Sequence, residues 1–202
     1  MSTISDMHEQ SIDVKNRVIY MYAFNDGGEN AGVDHRVTDM FLKNLHHLES
    51  EQPRRDITVH MNLVGGEWSP GIAMYDAIRG SKCTITIKAH GQAESMSSII
   101  LQGADRRQVT PHTYFMCHHG SAYHSGDARN LQKVAAWNKV IGEQMCDIYR
   151  DCLIKSQWAK DKYENPTGRQ IKAFLNKKLN DGDWYLFGGE IVYYGFADEV
   201  VT

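Results

Sequence analysis

Residues 83–101 read Cys-Thr-Ile-Thr-Ile-Lys-Ala-His-Gly-Gln-Ala-Glu-Ser-Met-Ser-Ser-Ile-Ile-Leu. Cys83–Ala89 alternates apolar and polar side chains, which is the period of a strand, and Ser95–Leu101 has the apolar density of a short helix. The pattern repeats on both sides. Ile57–Leu63 alternates as a strand, ends at Gly65-Gly66 and is followed by helical spacing over Gly71–Ile78. Arg17–Ala23 is a β-branched and aromatic run closed by Asn-Asp-Gly-Gly. Val37, Met40, Phe41, Leu45 and Leu48 then fall on one helical face. Tyr114–Cys117 predicts a fourth strand. Leu131, Val134, Ile141, Met145, Ile148 and Cys152 predict one long helix from about Ala128 to Trp158, or one that breaks where the sequence turns polar near Lys155–Glu164, and a further helix runs over Thr167–Leu179 after Pro166. Strands alternating with helices predict an α/β architecture with largely parallel pairing. Nothing in the composition divides the chain, so residues 1–202 read as a single domain with a short N-terminal segment, 1–16.

The chain has 202 residues, of which 42% are hydrophobic, with 22 basic and 25 acidic side chains for a net charge of −3. That balance argues against a nucleic-acid binder driven by a basic face. The ten Tyr, six Phe and four Trp are too many for a disordered chain. No apolar run approaches the ~20 residues of a membrane span. The first ten residues, MSTISDMHEQ, lack the layout of a signal peptide, and the expected location is the cytoplasm. Cys83, Cys117, Cys146 and Cys152 form no CxxC pair, so neither a disulfide scaffold nor a zinc site is indicated.

Four places carry residues suited to chemistry. Gly65-Gly66 at the end of a strand is a turn, or a bare backbone whose N–H groups face an anionic transition state. Ser95 stands where a strand passes into a helix: it is an N-cap, or a nucleophile whose oxyanion meets the next backbone N–H. No GxSxG elbow occurs in the chain. Among His112, His118, His119 and His124, adjacent His118 and His119 would point to opposite faces of a continuing strand, and no metal-ligand spacing is present. His118 is a core histidine or the general base for Ser95. Cys117 beside it reads as a small buried hydrophobe. In Leu179-Asn-Asp-Gly-Asp-Trp184, Asp181 and Asp183 form a turn, or one of them orients an imidazole.

These islands, in this order, resemble the proteolytic subunit of the Clp protease (ClpP, the S14 serine peptidases) over roughly Arg17 to Val201. Asn62-Leu-Val-Gly-Gly-Glu-Trp-Ser-Pro-Gly-Ile-Ala-Met-Tyr-Asp76 is similar to the family's Asn-Ser-Pro-Gly-Gly stretch and the helix after it. Gly91-Gln-Ala-Glu-Ser95-Met96 is similar to its Gly-Gln-Ala-Ala-Ser-Met. Met116-Cys-His-His119 resembles its Met-Ile-His-Gln, with Gly126 and Ala128 in register, and Tyr194-Gly-Phe-Ala-Asp198 its closing Tyr-Gly-Leu-Ile-Asp. The resemblance implies a crotonase-like spiral of β-β-α units with a projecting handle helix, the handle region lying at about 120–165. It implies Ser95 as nucleophile, His118 as base, an oxyanion hole from the N–H groups of Gly66 and Met96, and no cofactor. It also implies a strand over Gly120–Gly126 that lies along an extended peptide substrate, with Gly120, Ser121, Ala122 and Tyr123 as its contacts. A heptameric ring stacked on a second ring, fed by an AAA+ unfoldase, completes what the family suggests.

Several positions depart from the family. Its catalytic aspartate aligns at Leu179, so Asp181 is the expected third member, with Asp183 as fallback. Glu94 replaces a small residue beside Ser95, where its charge disfavours acidic substrates or pairs with a nearby base. Thr58 and His60 stand where the family's unfoldase pocket carries tyrosines, making that pocket more polar, and about a dozen residues are inserted around Lys155–Pro166. These departures suggest a diverged, phage-type member with a different unfoldase or none. Three other readings compete: a non-catalytic ring subunit, a phage prohead maturation protease, and a crotonase-type acyl-CoA enzyme, which would need carboxylates in place of Ser95 and His118.

Overall fold

The computed structural model describes residues 4–22, 32–121 and 125–202. A short helix α1 (Ile4–Gln10) and a two-residue strand β1 (Ile12–Asp13) lead into β2 (Val18–Tyr22). Then follow α2 (His35–Glu51), β3 (Ile57–Leu63), α3 (Trp68–Gly80), β4 (Ile85–Glu94), α4 (Met96–Leu101), β5 (Arg106–Val109) and β6 (Tyr114–Cys117). The remainder is largely helical: α5 (Ala128–Leu153), α6 (Gln157–Lys162), α7 (Gly168–Asn180), β7 (Trp184–Phe187), α8 (Gly189–Tyr193) and β8 (Glu199–Val200). β2, β3, β4 and β5 run parallel in sequence order, with β1 antiparallel at one edge and β8 parallel at the other. This is the α/β architecture with a largely parallel sheet that the alternation of elements predicts, and β2–β3–α3–β4–α4 is its core.

β4 departs from a simple strand. Thr86–Ala89 pair with β5, whereas Gln92–Glu94 pair with β6, which in turn pairs antiparallel with β7. The strand therefore belongs to two arms of the sheet, and the change of partner falls at His90–Gly91. The sequence reading ended this strand at Ala89, because alternation stops there. Its second half is visible only from the pairing.

One face of the parallel sheet is apolar. Ile19, Met21, Val59, Met61, Ile85, Ile87 and Ala89 are essentially inaccessible and pack with Phe41, Leu45 and Leu48 of α2, Met74 and Ile78 of α3 and Ile100 of α4. Each such side chain, fully buried, contributes roughly 1.5–3 kcal/mol. Arg17 is the charged exception. It is 4% exposed, and its guanidinium donates to the carbonyls of Leu48, Arg55 and Asp56 at 2.9, 2.9 and 3.1 Å. It thereby binds the end of α2 to the start of β3.

The long helix expected over Ala128–Trp158 ends at Leu153, and Ser156 starts a separate turn of helix by accepting from the Ala159 N–H at 3.1 Å. α6 is held by aromatics: Trp158 lies 4.0 Å from Phe174 and 5.7 Å from Tyr194, ring centre to ring centre. Along α5 the buried residues are Met145, Cys146, Tyr149 and Leu153, all in its second half. Leu131, Trp137 and Val140 in the first half are exposed, as in a helix that projects from the body. Among the described residues no helix is long and apolar enough to cross a membrane, and no group of three or more His, Cys, Asp or Glu is placed to hold a metal ion. All four cysteines are free.

Arg17→Met keeps an apolar stem and removes the donor of the Arg55 and Asp56 carbonyls, while the Leu48 carbonyl keeps the Gln52 N–H. With a buried unsatisfied polar group costing about 1–3 kcal/mol, we expect a loss of at least about 2 kcal/mol, read as a lower urea midpoint at unchanged slope.

Candidate active site

The turn between β4 and α4 consists of Ser95 alone, at φ 52°, ψ −120°. A side chain in this region of backbone space is strained by about 1–3 kcal/mol, and such strain persists only where neighbours hold the turn. Here the Ser95 N–H donates to the Met116 carbonyl at 2.8 Å, and the Ser95 carbonyl accepts from the Ser98 N–H at 3.1 Å and the Ser98 hydroxyl at 2.6 Å. The Ser98 hydroxyl also meets the Tyr149 hydroxyl at 2.6 Å. The fold thus lifts Ser95 out of the sheet and fixes it on both sides.

His118 follows β6 directly. Its Nε2 lies 2.7 Å from Ser95 Oγ, a full hydrogen bond, and its Nδ1 lies 3.5 Å from Asp183 Oδ1. β6 and β7 explain the second contact. Cys117 pairs with Trp184, so one step further along the antiparallel ladder sets His118 opposite Asp183. Asp181 lies elsewhere: it caps the C-terminus of α7, its N–H bonded to the Lys177 carbonyl at 3.1 Å. No hydrogen bond or ion pair joins it to His118 among the described residues. The aspartate that faces the imidazole is therefore Asp183 rather than Asp181. His119 turns the other way, to Asn180 Oδ1 at 3.2 Å, as neighbouring positions leaving a strand should.

Gly65-Gly66 reaches the same point from β3. A Cβ on Gly65 would lie 2.3 Å from the Ser95 Cβ and 3.0 Å from the Met96 nitrogen, so only glycine allows the two turns to touch. Gly66 bridges Val33: the Val33 N–H donates to the Gly65 carbonyl at 2.9 Å and the Glu67 N–H to the Val33 carbonyl at 2.8 Å. In a parallel bridge of this kind the Gly66 N–H points away from Val33, and no described residue accepts it. The Met96 N–H, first in α4, is one of the donors a helix start leaves unpaired. A cleft of about 790 Å³ opens over these groups, lined by Gly66, Ser95, His118, Gly120 and Ser121 and, from α5, by Ile141 and Met145. Gly120 and Ser121 lie outside any strand. Ala122, Tyr123 and His124 lie outside the described residues.

Two further groups adjoin the pair. Burial pushes the Glu94 carboxyl up; the nearby His118 opposes this and Asp183 adds to it. Burial likewise pushes the Cys117 thiol well up. A neutral, fully buried thiol is not a nucleophile, and Cys117 is a core residue. The contribution of α5 to the cleft was not read from sequence, although Ile141 and Met145 are in its apolar stripe. That stripe carries both core and cleft residues, which periodicity cannot separate.

A serine on a strained strand-to-helix turn, bonded to a histidine and beside two backbone N–H groups with no acceptor among the described residues, is an arrangement suited to nucleophilic hydrolysis. The chain belongs to the Clp protease family, whose model matches residues 28–202. It is 26% identical over 196 residues to the ATP-dependent Clp protease proteolytic subunit 2 of Chlamydia pneumoniae, covering 96% of this chain and 87% of that protein. Proteolytic subunit 1 of Chlamydia felis is 25% identical over the same shares, and subunit 2 of Chlamydia trachomatis serovar D is 24% identical. The chain is accordingly a peptidase of diverged sequence.

The strain at position 95 predicts an order of stabilities. Ser95→Gly relaxes the turn and Ser95→Ala does not, so the glycine variant should be about 1 kcal/mol more stable than the alanine variant in urea unfolding. For Glu94 the folded carboxyl titrates above its unfolded value. Its contribution is fully present in acid and is lost as pH rises through the folded pKa. Glu94→Gln should therefore gain melting temperature over the parent at pH 7.5 and none at pH 4.

Proposed function

We propose that this chain is a serine endopeptidase working through Ser95, His118 and Asp183 within a closed ring of identical subunits. The 2.7 Å contact between Ser95 Oγ and His118 Nε2 carries the reading. Ser95 Oγ attacks the scissile carbonyl and passes its proton to Nε2. The tetrahedral oxyanion that forms takes the unpaired N–H groups of Gly66 and Met96. As the intermediate collapses, His118 returns the proton to the leaving amine, and water then releases the acyl group by the same steps in reverse order of partners. One such oxyanion donor is worth about a hundred- to a thousandfold in rate.

Asp183 orients the imidazole through Nδ1–H and offsets the charge it acquires. Its side chain is half exposed and 3.5 Å away, longer than an ordinary hydrogen bond. Catalytic contacts of this kind commonly tighten on substrate binding. Gly120 and Ser121 offer backbone to an extended peptide along the cleft, a contact that Ala122 and Tyr123 would continue.

Family membership and the surface support the ring. Residues 1–202 form one peptidase domain in this reading. The apolar side chains of Leu131, Trp137 and Val140 on the first half of α5 are exposed, and a second ring facing the first would cover them. Enclosure would also restrain a protease in the cytoplasm. The polar side chains Thr58 and His60 favour an AAA+ partner other than one that anchors by an apolar loop.

A fluorophosphonate probe tests the chemistry: Ser95 Oγ displaces fluoride at phosphorus and its proton goes to His118. The parent should label and Ser95→Ala should not. Asp183→Asn should slow labelling by about a hundredfold or more, with Asp181→Asn close to the parent. Slowing by Asp181→Asn alone would overturn the assignment of Asp183. Sedimentation of the same sample should show a species several protomers in size, and a stable monomer would remove the ring.

A further inference from the structure

His60 Nδ1 and His90 Nε2 lie 2.8 Å apart on the face of the sheet opposite the core. Their ring centres are 5.0 Å apart and their planes meet at 16°. That separation is close to the contact distance plus the two ring radii, so the imidazoles meet edge to edge. The bond is a near-linear N–H···N in the plane of both rings. It requires one proton between the two nitrogens, with one ring donating and the other accepting. A neutral pair satisfies this, and so does a singly charged pair. Two imidazolium ions do not, because each would then point an N–H at the other.

The pair stands at the irregular point of the β3–β4 ladder. Met61 pairs with Ala89 and Leu63 with Ala93, so His90, Gly91 and Gln92 together oppose the single residue Asn62. Gly91 has φ 66°, and Asn62 Oδ1 beside it has no hydrogen-bond partner among the described residues. Backbone pairing with β3 does not hold this bulge, and only its last residue, Gln92, pairs on the other side, with Tyr114 of β6. Two side-chain bonds border it: His60–His90 on one side, and Gln92 Nε2 donating to the Tyr114 hydroxyl at 2.6 Å on the other. Immediately beyond, the Leu63 carbonyl accepts from the Ser97 hydroxyl at 2.6 Å, and Gly65 abuts Ser95. The length of the bulge thus sets where Ser95 meets Gly65-Gly66. A slip of one residue moves a strand by roughly 3.3 Å, whereas an oxyanion site tolerates ~0.5 Å.

We propose that the His60–His90 hydrogen bond is a register pin that positions Ser95 against Gly66, and that charging both imidazoles in acid releases it. The proposal rests on Ser95 being the nucleophile. His60 and His90 are positioning residues and touch no substrate.

The surroundings favour the neutral pair. Lys88 stands opposite His60 in the β3–β4 register, and Gln108 of β5 stands opposite Lys88 and bonds Glu199 of β8 at 2.9 Å. From β2, Tyr20 stacks on His60 at 5.7 Å and Tyr22 on Tyr20 at 6.4 Å. The Tyr114 hydroxyl of β6 is engaged by Gln92. Burial, and then the Lys88 ammonium, hold His60 below the usual histidine range; burial, His60 and Lys88 do the same for His90. The unfolded chain takes up protons near pH 6.5 while the folded pair resists. Stability from the pair is therefore complete at pH 7.5 and declines as pH falls below about 6.5.

Amide hydrogen exchange over residues 88–94, corrected for the intrinsic rate at each pH, tests the pin at pH 7.5 and pH 5.0. In the parent these amides should be protected at pH 7.5 and exchange at least tenfold faster at pH 5.0. His90→Gln places an amide nitrogen near the Nε2 position without a titratable charge, and should stay protected at both. His90→Leu should exchange fast at both. At pH 7.5 it should also label with the fluorophosphonate at least tenfold more slowly than the parent, and His90→Gln should recover most of that rate. Equal exchange in the parent at the two pH values, or in His90→Leu and the parent at pH 7.5, overturns the pin. Should His90→Leu fail to fold, the parent compared with His90→Gln at pH 5.0 decides. Absence of any labelling in the parent would remove the catalytic reading and leave the exchange comparison to judge the pin.

Discussion

There is no room for a side chain at position 65, and the site is built around that restriction. Two chain segments, the end of β3 and the turn after β4, are brought into backbone contact so that a bare peptide lies beside the Ser95 hydroxyl. Everything near the contact maintains it. The apolar face of the parallel sheet sets the strands side by side. The bulge at His90–Gln92 adjusts how far β4 runs before it turns. The carbonyl of Met116 and the hydroxyl of Ser98 clamp the strained residue. The partner histidine comes from the next strand along, β6, so the distance between Ser95 and His118 is governed by sheet pairing and not by a loop.

Charge around the pair is sparse and mostly open to water. Asp183 is half exposed, and Glu94 is the nearer to being buried. Burial disfavours the ionised form of Glu94, while its closeness to His118 favours it, and the first effect wins. A second carboxyl beside the pair is therefore easier to protonate than a solvent-exposed glutamate. The solvent side of the sheet is similarly subdued. Thr58, His60 and Lys88 alternate with buried residues there and present hydrogen-bonding groups where an apolar anchor would find little to bury against.

How much of this was legible in sequence depended on whether the signal was local. Ile57–Leu63 and Tyr114–Cys117 were read with the bounds the strands have, because alternation and a clear apolar run survive without context. Ser95 and His118, candidates from their positions at strand ends and from the family motif, do meet in the structure. The choice between Asp181 and Asp183 was not accessible in that way. Both lie in one turn, and what separates them is the phase of the β6–β7 ladder, which places Asp183 opposite His118. The strand Trp184–Phe187 that sets this phase is four residues long, too short for its alternation to stand out in the sequence. The second half of β4 was lost for a related reason: His90-Gly91-Gln92 interrupts the alternation at the bulge. The break in the long helix after Leu153 agrees with the turn to polar sequence from Lys155 onward, and Ser156 supplies the N-cap that starts the next helix.

The first half of α5 has one more consequence. None of its side chains from Ala128 to Gln144 is buried, and a helical stretch of that length is marginal in water without packing. Yet Asn138 and Ile141 from this stretch stand in the wall of the cleft. The wall is therefore built from a helical stretch with no buried side chain, and a surface that covered Leu131, Trp137 and Val140 would stabilise it by mass action. Were that surface another copy of the chain, the integrity of the site would follow protein concentration, loosened by dilution and restored by association, without any dedicated inhibitor.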